Sequence, residues 1–566
     1  MHAIPIEHAI QFALGHHQAG RLAEAEAIYR QILATAPRQP DALHGLGLIA
    51  CATGHYYEAV RLMADAVALA PQQPGWHSNL AAALSRLGRF DEAVDRYRRA
   101  IALQPDCVEA HIGVSAALCA LQRPEEAIAS ATHAVALRPD HPEAHNNLGK
   151  ALFESGRRQD ALASIERAIA LSPENVEAGG NLGGVLVAEG RWDDAIARLL
   201  RVLAVKPDCS DALYNLACAL TGKGDFVQAL DVCQRAIARH PDSAVTHYGL
   251  AGLLLLLGRY EQGWRDYEWR WKYSGVGGVR RTFPQPQWDG RRIPGRTILL
   301  HAEQGYGDIL QFLRYVPFVR VRSDALRVFF ECPPEMTRLL AFAADWDVQI
   351  VPMRGTGGKP LPHFDFQLPL LSLPWALRLP EPSNPAFPHG PYLRADETMR
   401  TFWRERLYPP GEPAARLRVG IVWAGRPTHM HDARRSIPLE KILPILRVPG
   451  VSFHSLQLAS NPAQIETLRE AGVPDHTAHL RDFADTAALI AELDLVITVD
   501  TAVAHLAGAL GKPVWTFLPF VPDWRWGLEE EDTPWYPTMR LFRQQREGDW
   551  EPLISRVAEE LGAMRR

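Results

Sequence analysis

At 566 residues, with 47% hydrophobic and 22% charged residues, the chain is too long for one core and has the composition of a water-soluble folded protein. Its 60 basic and 65 acidic residues leave a formal net charge of −5, which argues against a general nucleic-acid binder, whose phosphate contacts need a basic surface. MHAIPIEHAIQFALGHH has no basic n-region, unbroken apolar stretch or cleavage site, and LAGLLLLLG is too short to span a bilayer, so a cytoplasmic chain without a membrane span is expected.

The first half is periodic. Prolines stand at Pro37, Pro71, Pro105, Pro139, Pro173, Pro207 and Pro241, each 34 residues after the last. Glycines keep the same step at Gly20, Gly54, Gly88, Gly156, Gly190, Gly224 and Gly258, with Gln122 in place of one. Two markers sharing one period indicate a repeat architecture. The glycine suits the end of a first helix, where positive φ is wanted. The proline suits the end of a second helix, whose hydrogen-bond ladder it cannot continue. Small residues at Ala25, Ala59, Ala93, Ala127, Ala161, Ala195 and Ala229 let the helices approach closely, and Leu46, Leu80, Leu148, Leu182 and Leu216 share another position. Six of the seven cysteines fall in the repeats and no CxxC occurs, which fits small apolar filler in a reducing compartment and not a zinc site.

This pattern resembles the tetratricopeptide repeat over about residues 6 to 273, as eight repeats. Each helix pair exposes apolar surface that only its neighbours cover, so an all-α solenoid with a long groove is expected. Asn79, Asn147, Asn181 and Asn215 occupy one register of the first helices, interrupted by Gly45, Gly113 and Gly249. Side-chain amides offer donor and acceptor together, so such a column could pair with an extended acceptor peptide, or only with neighbouring backbone. It is similar to the asparagine ladder of the O-GlcNAc transferase solenoid.

The array runs into GRYEQGWRDYEWRWKYSG, where Trp264, Tyr267, Trp269 and Trp271 suggest a helical face packed on the next domain. A proline-rich passage, TFPQPQWDGRRIPGR, follows. TILLHAEQ, ALRVFFEC and DVQIVP then read as buried strands between helical stretches, and after LPEPSNPAFPHGP the pattern restarts with RVGIVWAG, VSFHSLQL, DLVITVD and PVWTFLP. Alternating strand and helix implies parallel sheets, here two doubly wound Rossmann-like α/β lobes with ligands at the carboxyl ends of their strands. The expected domains are a solenoid over 1–274, a linker over 275–295, a first lobe over 296–385, a linker over 386–415 and a second, donor-binding lobe over 416–566.

Three segments sit where chemistry is expected. In EQGYGDILQFLRY, Gly305 and Gly307 allow a tight turn and leave Asp308 at a helix mouth, as a cap or as a catalytic base. In IVWAGRPTHMHDARRSIPL, Gly425 allows close approach, and Arg426, Arg434, Arg435 and Ser436 form a candidate diphosphate clamp or a solvated basic loop. His429 and His431 there lack further ligands for a metal. In LVITVDTAVAHLAGALGKPVWTFL, a strand ends at Asp500 and a helix starts at Thr501, an anion site, with His505 one turn further on the same face. The D-x-D formed by Asp345 and Asp347 reads as surface, so no metal is expected.

Together these segments resemble the bacterial glycosyltransferase family that includes the ADP-heptose:lipopolysaccharide heptosyltransferases (family 9), in its branch fused behind tetratricopeptide repeats. FQLPLLSLP, FVPDWRW and PWYPTMRLFRQ, and above all Asp500 to Pro513, carry the resemblance over roughly residues 296 to 560. It implies a GT-B fold and inverting, metal-independent transfer from a nucleotide-sugar, a substrate and not a cofactor. It implies Asp308 as catalytic base. Gly305, Gly307, Gly425, Arg435, Ser436, Asp500, Thr501 and His505 are the candidate donor-binding residues, and the asparagine column is the candidate acceptor-peptide site. The interval from Asp308 to Pro317 is longer than in the heptosyltransferases, and their acceptor residues have no counterpart here. The expected function is glycosyl transfer to a protein captured by the repeats, with flagellin suggested by resemblance alone. The alternatives are transfer to lipopolysaccharide or polysaccharide, and a non-catalytic protein-binding adaptor.

Overall fold

The computed structural model describes residues 5–273, 281–341, 346–353, 360–379, 390–408, 417–428, 432–458 and 461–564. The chain divides into two compact units, Met1–Lys223 and Gly224–Arg566. The division falls inside the repeats: thirteen helices, from Ile6–Gln18 to Ser210–Lys223, form the first unit, and Phe226–Arg239, Ala244–Leu256 and Tyr260–Tyr267 belong to the second. No helix among the described residues is long and apolar enough to cross a membrane.

The first unit is the all-helical repeat solenoid. Its helix pairs turn at Gly20, Gly54, Gly88, Gly156 and Gly190, all with φ between 72° and 84°, and Gln122 adopts φ 57° where the other repeats use glycine. The alanine register is sealed between helices: Ala25, Ala59, Ala93, Ala127, Ala161 and Ala195 are each 0% exposed. A histidine register also emerges. His77, His111 and His145 each place Nε2 within 3.0 Å of a proline carbonyl six residues earlier, at Pro71, Pro105 and Pro139. A carbonyl only accepts, so Nε2 carries the proton in each, and the ring ties a first helix to the loop before it.

In the second unit the α/β part holds two parallel sheets. The first comprises β1 (Thr297–His301), β2 (Arg327–Cys332), β3 (Gln349–Pro352) and β4 (Phe366–Pro369), in the order β3-β2-β1-β4. The second comprises β5 (Leu417–Val422), β6 (Val451–Ser455), β7 (Leu495–Val499), β8 (Val514–Leu518) and β9 (Met539–Arg543), in the order β6-β5-β7-β8-β9. Seven of these strands match the expected apolar runs, and β4 and β9 are additions at the sheet edges. Strand order reverses between β1 and β4 in one sheet and between β5 and β7 in the other, and such switch points open a crevice beyond the carboxyl ends of the strands. The helix carrying Asp308 follows β1, Gly425 follows β5, and Asp500 follows β7.

Candidate functional site

The first element of the site is the helix Tyr306–Phe312. The left-handed residue of its approach loop is Gln304, with φ 59°, and not either glycine. Gly305 is extended, a conformation open to any residue, and its N–H donates to Asp308 Oδ2 at 2.9 Å. Asp308 therefore caps its own helix. Its other oxygen accepts from Arg525 Nη2, across 217 residues of chain. Gly307 lies inside the helix, where an added Cβ would come within 3.0 Å of His505 Cδ2, so its small size lets this helix pack on the helix Ala502–Ala509. The two glycines serve the capping bond and this close approach, and the tight turn falls to Gln304.

Arg525 was not anticipated from sequence. Its side chain is 8% exposed. Besides Asp308, Nη1 donates to Asp523 Oδ1 at 2.8 Å, Nε donates to Gln311 Oε1, and the guanidinium lies 4.3 Å from the Trp524 ring centroid. The segment FVPDWRW carried family resemblance but gave no sign of which distant carboxylate its arginine would meet.

Asp500, half-buried at the end of β7, has its carboxyl pushed up to about 6 by burial and by neighbouring Asp523, with Arg435 opposing. Thr501 stands at the start of Ala502–Ala509 with φ −143°, and its hydroxyl lies 3.1 Å from Thr498 Oγ1 instead of capping the helix. The first-turn N–H groups thus receive no side-chain cap, and the positive end of the helix dipole points out beside Asp500. His505 is 3% exposed, places Nδ1 2.9 Å from the Tyr536 hydroxyl and stacks on Trp526 at 5.2 Å. Burial, reinforced by Arg525, Arg314 and Arg435, holds it well below the usual histidine range, so it is neutral at physiological pH.

After β5, the Gly425 N–H donates to Ser436 Oγ at 2.9 Å, and Arg435 Nε lies 3.4 Å from Asp432 Oδ1. A Cβ at Gly425 would come within 2.4 Å of Asp432 Oδ1 and 2.6 Å of Arg435 Nη2, so a side chain there would push these two charged ends aside. His429 and His431 lie outside the described residues, as does Asp345, while Asp347 pairs with Arg320. Among the described residues no group of three His, Cys, Asp or Glu side chains gathers as a metal site.

The asparagine register lies in the first unit, and three of its four members reach the preceding repeat. Asn79 Nδ2 lies 3.2 Å from His44 Nε2, Asn147 Nδ2 donates to the Ile112 carbonyl at 3.2 Å, and Asn181 Nδ2 donates to Asn146 Oδ1 at 2.9 Å. Asn147 is 8% exposed, and Asn79, Asn181 and Asn215 are partly exposed. At the interrupting positions Gly45 and Gly113, an added Cβ would lie 2.4 and 2.3 Å from the rings of Tyr29 and Tyr97. At these two breaks a tyrosine takes the space.

Family profiles agree with this architecture. Tetratricopeptide-repeat profiles match residues 9–31, 38–106, 79–142, 117–176, 152–219 and 220–263. The profile of glycosyltransferase family 9 (heptosyltransferase) matches residues 480–520, the stretch with β7, Asp500, Thr501, His505 and β8. The chain is a tetratricopeptide-repeat array joined to a glycosyltransferase family 9-like domain. It is 30% identical over 326 residues to Protein FlbA of Caulobacter vibrioides, a match that takes in 55% of this chain and 53% of that protein. The chain thus spans about half the length of this curated relative. The crystal structure of MamA is 20% identical, covering 28% of this chain and 94% of its own, with a TM-score of 0.27. The Cut9–Hcn1 hetero-tetramer structure is 16% identical, covering 45% of this chain and 50% of its own, with a TM-score of 0.38.

Proposed function

We propose that this repeat–transferase fusion moves a sugar from a nucleotide-sugar donor to a hydroxyl of a protein acceptor selected by the repeats, by inverting single displacement without a metal. The observation that carries this reading is the ion pair of Asp308, on the helix after β1, with Arg525 of the second sheet's lobe, where Gly307 packs on the helix that follows Asp500 and Thr501. A base and an anion site are thereby adjacent, as transfer from a diphosphate requires.

In this mechanism the donor diphosphate lies against the uncapped N–H groups after Thr501, with Arg435 and Arg525 as its charge partners. A dianionic diphosphate competes with Asp308 for Arg525. Donor binding would therefore release the Asp308 oxygen that Arg525 holds, and that carboxylate takes the proton of the attacking hydroxyl as the anomeric C–O bond to the diphosphate breaks. Neutral His505 keeps Tyr536 and Trp526 in place behind the helix start and adds no charge.

Calorimetry with UDP, GDP and ADP, with and without a chelator, tests the donor side. One nucleotide should bind equally in both conditions, and binding that vanishes with chelator would sink the metal-free mechanism. Intact-mass analysis of proteins co-purifying with the chain tests the acceptor. An added sugar on a protein is expected, and sugar found only on lipid or polysaccharide would move the acceptor to those classes.

A further inference from the structure

The helix Tyr260–Tyr267 and the short turn Glu268–Trp271 end the repeats, and they touch both sides of the candidate site. Trp264, 1% exposed, meets Phe312 edge to face at 5.5 Å and Trp524 at 5.2 Å. Phe312 ends the helix that Asp308 caps, and Trp524 precedes Arg525 in the chain. The polar contacts are more specific. Arg270, 2% exposed, forks onto Glu303, with Nε to Oε2 at 3.0 Å and Nη2 to Oε1 at 2.8 Å. It also donates to Glu268 at 2.8 Å and to Ser372 at 2.7 Å. Glu303 Oε1 in turn accepts the Leu371 N–H at 3.0 Å, just beyond β4. One residue further along, the Gln304 side-chain amide and the Tyr267 hydroxyl meet twice, at 3.2 and 3.0 Å.

Glu303 and Gln304 are the two residues before the Gly305–Asp308 capping bond, and Gln304 carries the left-handed backbone. A non-glycine residue at positive φ persists only where its surroundings over-determine it. Here the surroundings are the last repeat: one bidentate buried ion pair and a doubled amide–hydroxyl contact, on successive residues.

We infer that Tyr267 and Arg270 are positioning residues of the transfer site, holding the Glu303–Asp308 loop so that the Asp308 carboxylate meets Arg525 and an incoming hydroxyl in reacting geometry. The last repeat is then part of the reaction centre and not a tether to it. The inference rests on the proposed role of Asp308.

The test uses the full chain and two single-residue variants. Tyr267→Phe keeps the ring and loses the hydroxyl, and Arg270→Lys keeps the charge and loses the fork. Melting temperature, hydrogen exchange of peptides covering 299–312, and steady-state release of nucleoside diphosphate from a panel of UDP-, GDP- and ADP-sugars are measured together. Melting should change little in Tyr267→Phe and fall in Arg270→Lys, which loses buried hydrogen bonds, so Tyr267→Phe separates the local effect from global stability. Exchange at 303–308 should speed up by roughly tenfold while β5 to β9 stay protected. Turnover should fall by as much as roughly a hundredfold with donor KM unchanged, the pattern of a misplaced reacting group. Unchanged exchange in both variants overturns the holding role. Faster exchange with unaltered turnover shows that the segment merely docks, and overturns the positioning role. Wild-type protein that turns over none of the panel sinks the transferase reading instead, and the exchange measurement still decides whether Tyr267 and Arg270 hold the loop.

Discussion

Asp308 has one oxygen on its own helix start and the other on Arg525, and those two bonds make different demands on a substitution. Asp308→Asn preserves an acceptor for the Gly305 N–H but removes the charge that Arg525 meets and the basicity a transfer needs. Arg525 keeps Asp523 as a partner, so the fold should survive. Turnover at saturating donor should fall by about two to four orders of magnitude, the scale of a lost general base. Near wild-type turnover would reduce Asp308 to a cap and an ion-pair partner. Asp500 makes a pH-dependent prediction. With its carboxyl held up at about 6, the folded chain binds this proton more tightly than the unfolded chain does. The associated stability is complete below about pH 4, the ordinary carboxylate value, and is lost as pH rises through the folded value of about 6. Asp500→Asn should therefore melt above wild type near neutral pH, and its lead should vanish towards about pH 4. A lead of constant size across that range would assign it to something other than ionisation. Asp308, Asp500, Thr501 and His505 could be singled out as candidates because each sits near a strand-to-helix junction that apolar runs and glycines mark. Arg525 was not, because its meaning depends on a carboxylate 217 residues away, which spacing cannot reveal.

The interior strands all read clearly, whereas the four edge strands divide: β3 and β6 were read from their apolar runs, and β4 and β9 were not. β1, β5, β7 and β8 lie within their sheets and show continuous apolar runs. β4 and β9 are edge strands: Phe366–Pro369 is four residues ending in proline, and Met539–Arg543 alternates apolar residues with half-buried arginines. An edge strand has one paired side and needs no apolar run, and these two, broken by proline or arginines, lacked one that stood out. In the repeats, period revealed the helices but not what each register does. The amides of Asn79, Asn147 and Asn181 reach back 35 residues, one repeat plus one residue, and tie adjacent first helices together. Asn147 is buried, so Asn147→Ala should lower stability by about 1–3 kcal/mol by removing the second donor to the Ile112 carbonyl and opening space, while the more exposed Asn181→Ala should lower it by about 1 kcal/mol or less. Thermal melting of the two variants checks the order. If acceptor affinity then falls in Asn181→Ala and Asn215→Ala while melting holds, the partly exposed members of the register also bind the acceptor. Unaltered affinity in both would leave them as staples.

At the scale of the whole chain, the question is where a transferase unit can be cut. Repeat periodicity places the end of the solenoid near residue 274, whereas the compact units part at Lys223 and Gly224. The physical reason is that the last repeat buries its aromatic face against the α/β part. Trp264 and Tyr267 lie in one apolar cluster with Phe312, Trp526 and Trp535, and Arg270 is the buried partner of Glu303. A chain beginning at Arg281 would expose Phe312 and Trp524 and leave Glu303, whose side chain is 10% exposed, without its arginine. Removing one partner of a buried pair costs about 3–5 kcal/mol, a large part of a domain's stability before the lost aromatic packing is counted. A chain beginning at Gly224 keeps these contacts. It should be monomeric with a single cooperative melt, and should bind the same nucleoside diphosphate as the full chain with affinity unchanged within about threefold. The chain from Arg281 should aggregate or melt without cooperativity, and its nucleotide affinity should fall with the fraction folded. Calorimetry and melting of the two truncations side by side decide the matter. If the shorter chain melts and binds like the longer one, the last repeat is separable from the transferase, and the aromatic helix is a docking surface with no structural hold on the site.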